Sequence, residues 1–89
     1  GKHEYQCCRY DKKISKAIKR DLNIDIRADE IIFDLKSKSL YTYYKSKKIG
    51  AYYDNDIKQI VMYGNKDLSI YFVLPLMKLI GVYKDDSRR

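Results

Sequence analysis

Apolar and polar positions change period twice along this chain, and the changes divide it into three parts. Between Asp11 and Asn23, Ile14, Ala17, Ile18 and Leu22 recur at helical spacing, so they line one face of a helix. Asp11 is a candidate N-cap, Tyr10 would extend the same face by one turn, and Asn23 is a candidate stop. From Ile24 the period falls to two. Ile24 and Ile26 alternate with Asp25 and Arg27, as a short strand or an extended connection. Residues 28–40 carry two patterns. An acidic first turn at Asp29 and Glu30 would suit a helix, whereas Ile31, Phe33 and Leu35 alternate with Ile32, Asp34 and Lys36. The β-branched and aromatic content favours the strand.

Ser37-Lys38 is then the turn of a hairpin whose second arm puts Leu40, Thr42 and Tyr44 on one face and Tyr41, Tyr43 and Lys45 on the other. A turn over Lys45 to Gly50, with Gly50 as its flexible member, leads to a strand at Ile49 to Tyr53. Asp54-Asn55-Asp56 turns the chain into a strand at Ile57 to Tyr63, closed by Gly64-Asn65. Leu68 to Leu74 is almost wholly apolar and reads as a central fifth strand. Pro75 suits the first turn of a short closing helix with Leu76, Leu79, Ile80 and Tyr83 inward; one Pro-kinked helix from Asp67 to Tyr83 is the alternative.

Turns of two to four residues between such strands imply an antiparallel meander. The expected fold is α+β: an N-terminal amphipathic helix, four to five short antiparallel strands, and a C-terminal helix starting at Pro75. Residues 1–9 have no period and read as a loose arm or a remnant of cleavage. Residues 10–84 form one domain and 85–89 a frayed polar tail.

Charge changes the picture. The 89 residues carry a net charge of +7, which favours an anionic partner, although Lys, Ile, Tyr, Asn and Asp all have AT-rich codons. The stretch Leu35 to Tyr63 holds six of the ten tyrosines and six lysines, and Lys36 to Lys48 contains five cations and no anion. Tyrosines among lysines on an open sheet face are what single-stranded nucleic acid binders use: rings stack on bases and cations follow phosphates. The candidate rings are Tyr41, Tyr43, Tyr52 and Tyr63, and the candidate cations Lys36, Lys38, Lys45, Lys47 and Lys48. The plainer account of the same residues is that tyrosine pairs well across strands and lysine protects sheet edges. Lys12, Lys16, Lys19 and Arg20 on the outer side of the first helix form a secondary basic face for a nucleic acid backbone.

The alternative class is a small protein-interaction module, an inhibitor or adaptor of the kind viruses, phages and mobile elements carry, docking on an acidic surface through the same tyrosines. An exposed strand edge would also allow a homodimer. Against an enzyme, acidic residues are scattered or lie in turns, and no phosphate loop or nucleophile constellation is present. His3, Cys7 and Cys8 are too few for a closed zinc site, so neither metal nor cofactor is expected. Adjacent cysteines cannot staple distant segments, which makes an intracellular, reducing compartment the expectation. The longest apolar run, Ile70 to Met77, is far short of the roughly 20 residues a membrane helix needs.

Overall fold

The structure, a computed structural model, describes residues 4–5 and 8–81, with side chains for residues 12–81. Its elements are β1 (Glu4–Tyr5), α1 (Cys8–Leu22), β2 (Ile32–Asp34), β3 (Ser39–Tyr44), β4 (Lys47–Asp54), β5 (Gln59–Tyr63) and α2 (Lys66–Leu79). The strands form one antiparallel sheet in the order β1-β2-β3-β4-β5. The α+β architecture, an N-terminal helix, a meander and a C-terminal helix, is the expected one.

α1 forms because its apolar positions fall on one stripe: Ile14 and Ile18 are buried, while Lys12, Lys16, Lys19 and Arg20 stay exposed. It begins at Cys8, so Asp11 lies inside the helix rather than at its cap. Asn23 ends it in the left-handed region (φ 58°), its N–H donating to the Lys19 carbonyl at 3.0 Å. Residues 24–27 are an extended connection that buries Ile26. Ala28–Glu30 is a single 3-10 turn, so the acidic pair does start a helical turn, and β2 follows it directly. Ile31 and Phe33 are buried as the alternation requires, whereas Leu35 has already entered the turn and is exposed.

The β2–β3 and β4–β5 loops share one device. Asp34 Oδ1 accepts from the N–H groups of Lys36 (3.0 Å) and Ser37 (3.4 Å); Asp54 Oδ1 accepts from Asp56 (2.9 Å) and Ile57 (3.4 Å). Each loop then closes on a lysine at positive φ, Lys38 (49°) and Lys58 (56°). The β3–β4 turn differs from the expected one. It is only Lys45-Ser46, both at positive φ (52° and 66°), the primed geometry whose twist matches the strands it joins. Gly50 is not part of it and lies in the middle of β4.

Leu68 to Leu74 is helix, not strand, and α2 starts at Lys66 rather than at Pro75. Asn65 caps it: the N–H groups of Asp67 and Leu68 donate to Asn65 Oδ1 at 2.8 and 3.2 Å. Leu68, Phe72 and Leu76 recur at i, i+4 and i+8 and are fully buried. Burying each is worth about 1.5–3 kcal/mol, enough together to outweigh the roughly 3 kcal/mol that an interior proline costs. The run is unbroken because the exposed side of the helix also carries large aliphatic residues, Ile70 and Leu74, which removes the one-face pattern that identifies a helix.

α2 lies across β3, β4 and β5, and α1 packs on α2 and on the 3-10 turn. The core between these layers is Ile14, Ile18, Ile26, Ile31, Phe33, Leu40, Ile49, Ala51, Leu68, Phe72 and Leu76. Thr42 is buried among them, its hydroxyl donating to the Glu30 carbonyl at 2.9 Å. Both helices therefore cover the same side of the sheet. No helix among the described residues is long and apolar enough to cross a membrane.

Candidate nucleic-acid interface

Register and alternation together decide what the uncovered side of the sheet presents. Leu40 pairs with Ala51 and Thr42 with Ile49, which are core positions. Their neighbours must point the other way. That outer face carries Ser39, Tyr41 and Tyr43 from β3; Lys48, Gly50 and Tyr52 from β4; Val61 and Tyr63 from β5. All four candidate rings therefore stand on one face.

They are also in contact. Tyr41 and Tyr43 meet edge to face, with centroids 6.0 Å apart and planes at 86°. Tyr52 and Tyr63 lie 5.9 Å apart at 44°. Gly50 sits between the two pairs, opposite Tyr41 on β3 and Tyr63 on β5. A Cβ there would collide with the Leu40 carbonyl oxygen and come within 2.7 Å of Tyr41 Cα and Cβ. The missing side chain is what lets Tyr41 settle to 6% exposure on a face that no helix covers. Tyr43 remains 57% exposed.

One lysine stands over this cluster. Lys48 Nζ is 4.2 Å from the Tyr41 centroid and 5.9 Å from that of Tyr63, so its charge is held above the rings by their π-faces. Burial pushes the Tyr63 hydroxyl up to about 12, against the opposing effect of its hydrogen bond with Ser39. Ser39 is in turn 2.7 Å from Ser37, Oγ to Oγ.

The other candidate cations do not share the face. Lys45 leaves it because the tight turn rotates the chain: its Nζ lies 5.4 Å from the ring of Tyr44, a residue of the helix-facing side. Lys47 pairs with Tyr44 and follows the same parity. Both line a cleft with Tyr44, Ile49, Gly64 and Asn65, where α2 begins. Lys36 and Lys38 lie at the opposite end of the strands, in the β2–β3 loop. Lys58, in the matching β4–β5 loop, joins them there and is not among the cations that the sequence pattern points to; the repeated Asp-x-x-x-Lys spacing is the signal that could find it.

The secondary basic face of α1 is partly neutralised within the chain. Lys19 lies 3.5 Å from Asp25, and Arg20 makes a two-pronged pair with Asp21 at 2.7 and 3.0 Å. Asp21 also accepts from the Tyr71 hydroxyl of α2 at 2.7 Å, and the Arg20 and Tyr71 hydrogen bonds hold its carboxyl down at about 2. No group of three or more metal-ligating side chains occurs among the described residues; His3 and Cys7 lie outside them.

Comparison of the chain with protein-family models, with curated proteins and with solved structures found no match.

Proposed function

We propose that the outer face of the sheet binds single-stranded nucleic acid, within an intracellular compartment and without catalysis. The observation that carries this reading is the contiguous cluster of Tyr41, Tyr43, Tyr52 and Tyr63 under one ammonium group, Lys48, on the side of the sheet the helices leave open. Aromatic rings on an antiparallel sheet stack about two or three bases, a contact any base can make. Tyr43, the most exposed ring, is the first platform, and the Tyr52–Tyr63 pair the second. Tyr41 is too deeply seated to stack and supports Lys48 instead. Lys48 takes the phosphate between the platforms. Lys45 and Lys47 extend the positive field at one end of the strands; at the other, Lys36, Lys38 and Lys58 are offset by Asp34, Asp54 and Asp56 of the same loops.

The test is fluorescence anisotropy of labelled single- and double-stranded oligonucleotides across a salt series. Micromolar binding at physiological salt with preference for single strands is expected. Tyr43→Ala should weaken single-strand binding by about 1–3 kcal/mol. Lys48→Glu should weaken binding to every sequence and flatten the salt slope. Lys47→Glu removes the same charge from the other side of the sheet and should matter less. Equal losses for Lys47→Glu and Lys48→Glu, or binding seen only at low salt, would mean that the +7 charge acts without this face.

A further inference from the structure

The helical layer has an outer surface of its own, on the far side of the molecule from the tyrosine face. Between α1 and α2 runs an open groove of about 310 Å³ whose walls include Ala17, Ile70, Leu74 and Pro75. Ile70 and Leu74 stand one helical turn apart and are 59% and 47% exposed, although both are large aliphatic side chains. Neither contributes to the core. An aliphatic pair of this spacing in a groove between two helices is the receptor half of a helix-in-groove contact.

Charge selects the occupant. Lys13 and Lys78 both line the groove. Lys12 and Lys16 are exposed on α1 alongside Lys13. A second copy of the chain would bring its own +7 against this rim, so self-association through the groove is opposed. We infer that the groove receives an acidic amphipathic helix of another protein, its apolar residues at i, i+4 and i+7 seated on Ile70 and Leu74 and its carboxylates facing Lys13. With the tyrosine face on the opposite side, the chain would then hold a protein and a nucleic acid at once.

The probe is a fluorescein-labelled peptide of about 18 residues, leucines at i, i+4 and i+7 with glutamates flanking them and alanines elsewhere. Anisotropy with the full chain should give a Kd of about 10 µM. Ile70→Ser with Leu74→Ser, both at exposed positions, should weaken binding at least about tenfold while the circular dichroism spectrum is unchanged. Lys13→Glu should weaken it about threefold to tenfold, and replacing the probe's glutamates with lysines should abolish it. Lys48→Glu should leave peptide binding as it is. No binding at about 200 µM peptide, or equal affinity for the Ile70→Ser/Leu74→Ser variant, overturns the inference. A dimer in sedimentation velocity that those two substitutions convert to monomer overturns it too, by giving the groove to a second copy.

Discussion

Replacing Gly50 by alanine tests the link between the sheet's interior and the tyrosine face. The added Cβ would meet backbone, not the end of a flexible side chain: the Leu40 carbonyl oxygen, and Tyr41 Cα and Cβ at 2.7 Å. Ordinary carbon contacts sit at about 3.5–4.0 Å, so β3 and β4 must separate by the better part of an ångström at the centre of the sheet. Overpacking of this kind costs about 1–3 kcal/mol, and backbone neighbours argue for the upper half. Alanine recovers about 0.4–1 kcal/mol by narrowing the unfolded ensemble. A net loss of about 2 kcal/mol remains, which for a domain of this size lowers Tm by about 8–16 °C. Gly81→Ala is the control. A Cβ there meets nothing within 4 Å, and only its φ of 82° resists, so its loss should be about 1 kcal/mol. Thermal unfolding followed by circular dichroism measures both. If Gly50→Ala unfolds at or above the wild-type temperature, or no lower than Gly81→Ala, then the close approach of β3 to β4 is not what that glycine serves.

Three further outcomes are expected. Thr42→Val keeps the shape of a fully buried side chain but strands the Glu30 carbonyl, so denaturant unfolding should show a loss of about 1–2 kcal/mol; no loss would mean that the hydroxyl bond is idle. Lys45→Asn with Ser46→Gly places residues suited to positive φ in the turn and should stabilise by about 1 kcal/mol. Because Lys45 points off the tyrosine face, this double change should also cost little oligonucleotide affinity, and a large loss would move the binding surface. Tyr63, with its folded pKa raised from 10.0 to about 12, contributes stability that is fully present below pH 10 and lost as pH rises through 12. Tyr63→Phe should therefore flatten the alkaline limb of the Tm–pH curve and remove a late-titrating component of phenolate absorbance; an unchanged limb would place the Tyr63 hydroxyl in water.

Local pattern determined a good deal of this protein. Ile14, Ile18 and Leu22 mark a helix because one face must be apolar whatever it packs on. Alternation through Leu40, Tyr41, Thr42 and Tyr43 sorts those residues onto two faces for the same reason, so the candidate rings can be grouped from residue order and type. The Asn65 cap and the i, i+4, i+8 spacing of Leu68, Phe72 and Leu76 are also legible, but the apolar density of residues 68–74 and Pro75 outweigh them. A short apolar run has the same local signature whether helix or strand, and what separates the two is what surrounds it. Two helices over one face of a meander, with the other left open, also follow from the pattern; tertiary structure alone decided which candidate cation shares the open face with Tyr43, and it is Lys48. Tertiary structure also turned Lys45 away, because a two-residue turn rotates the chain by an amount that composition does not record, and the register with Tyr44 put Lys47 on the helix-facing side. Gly50 is the clearest case: read alone it is a turn residue, and only the strand lying across it shows that its purpose is the absence of a side chain.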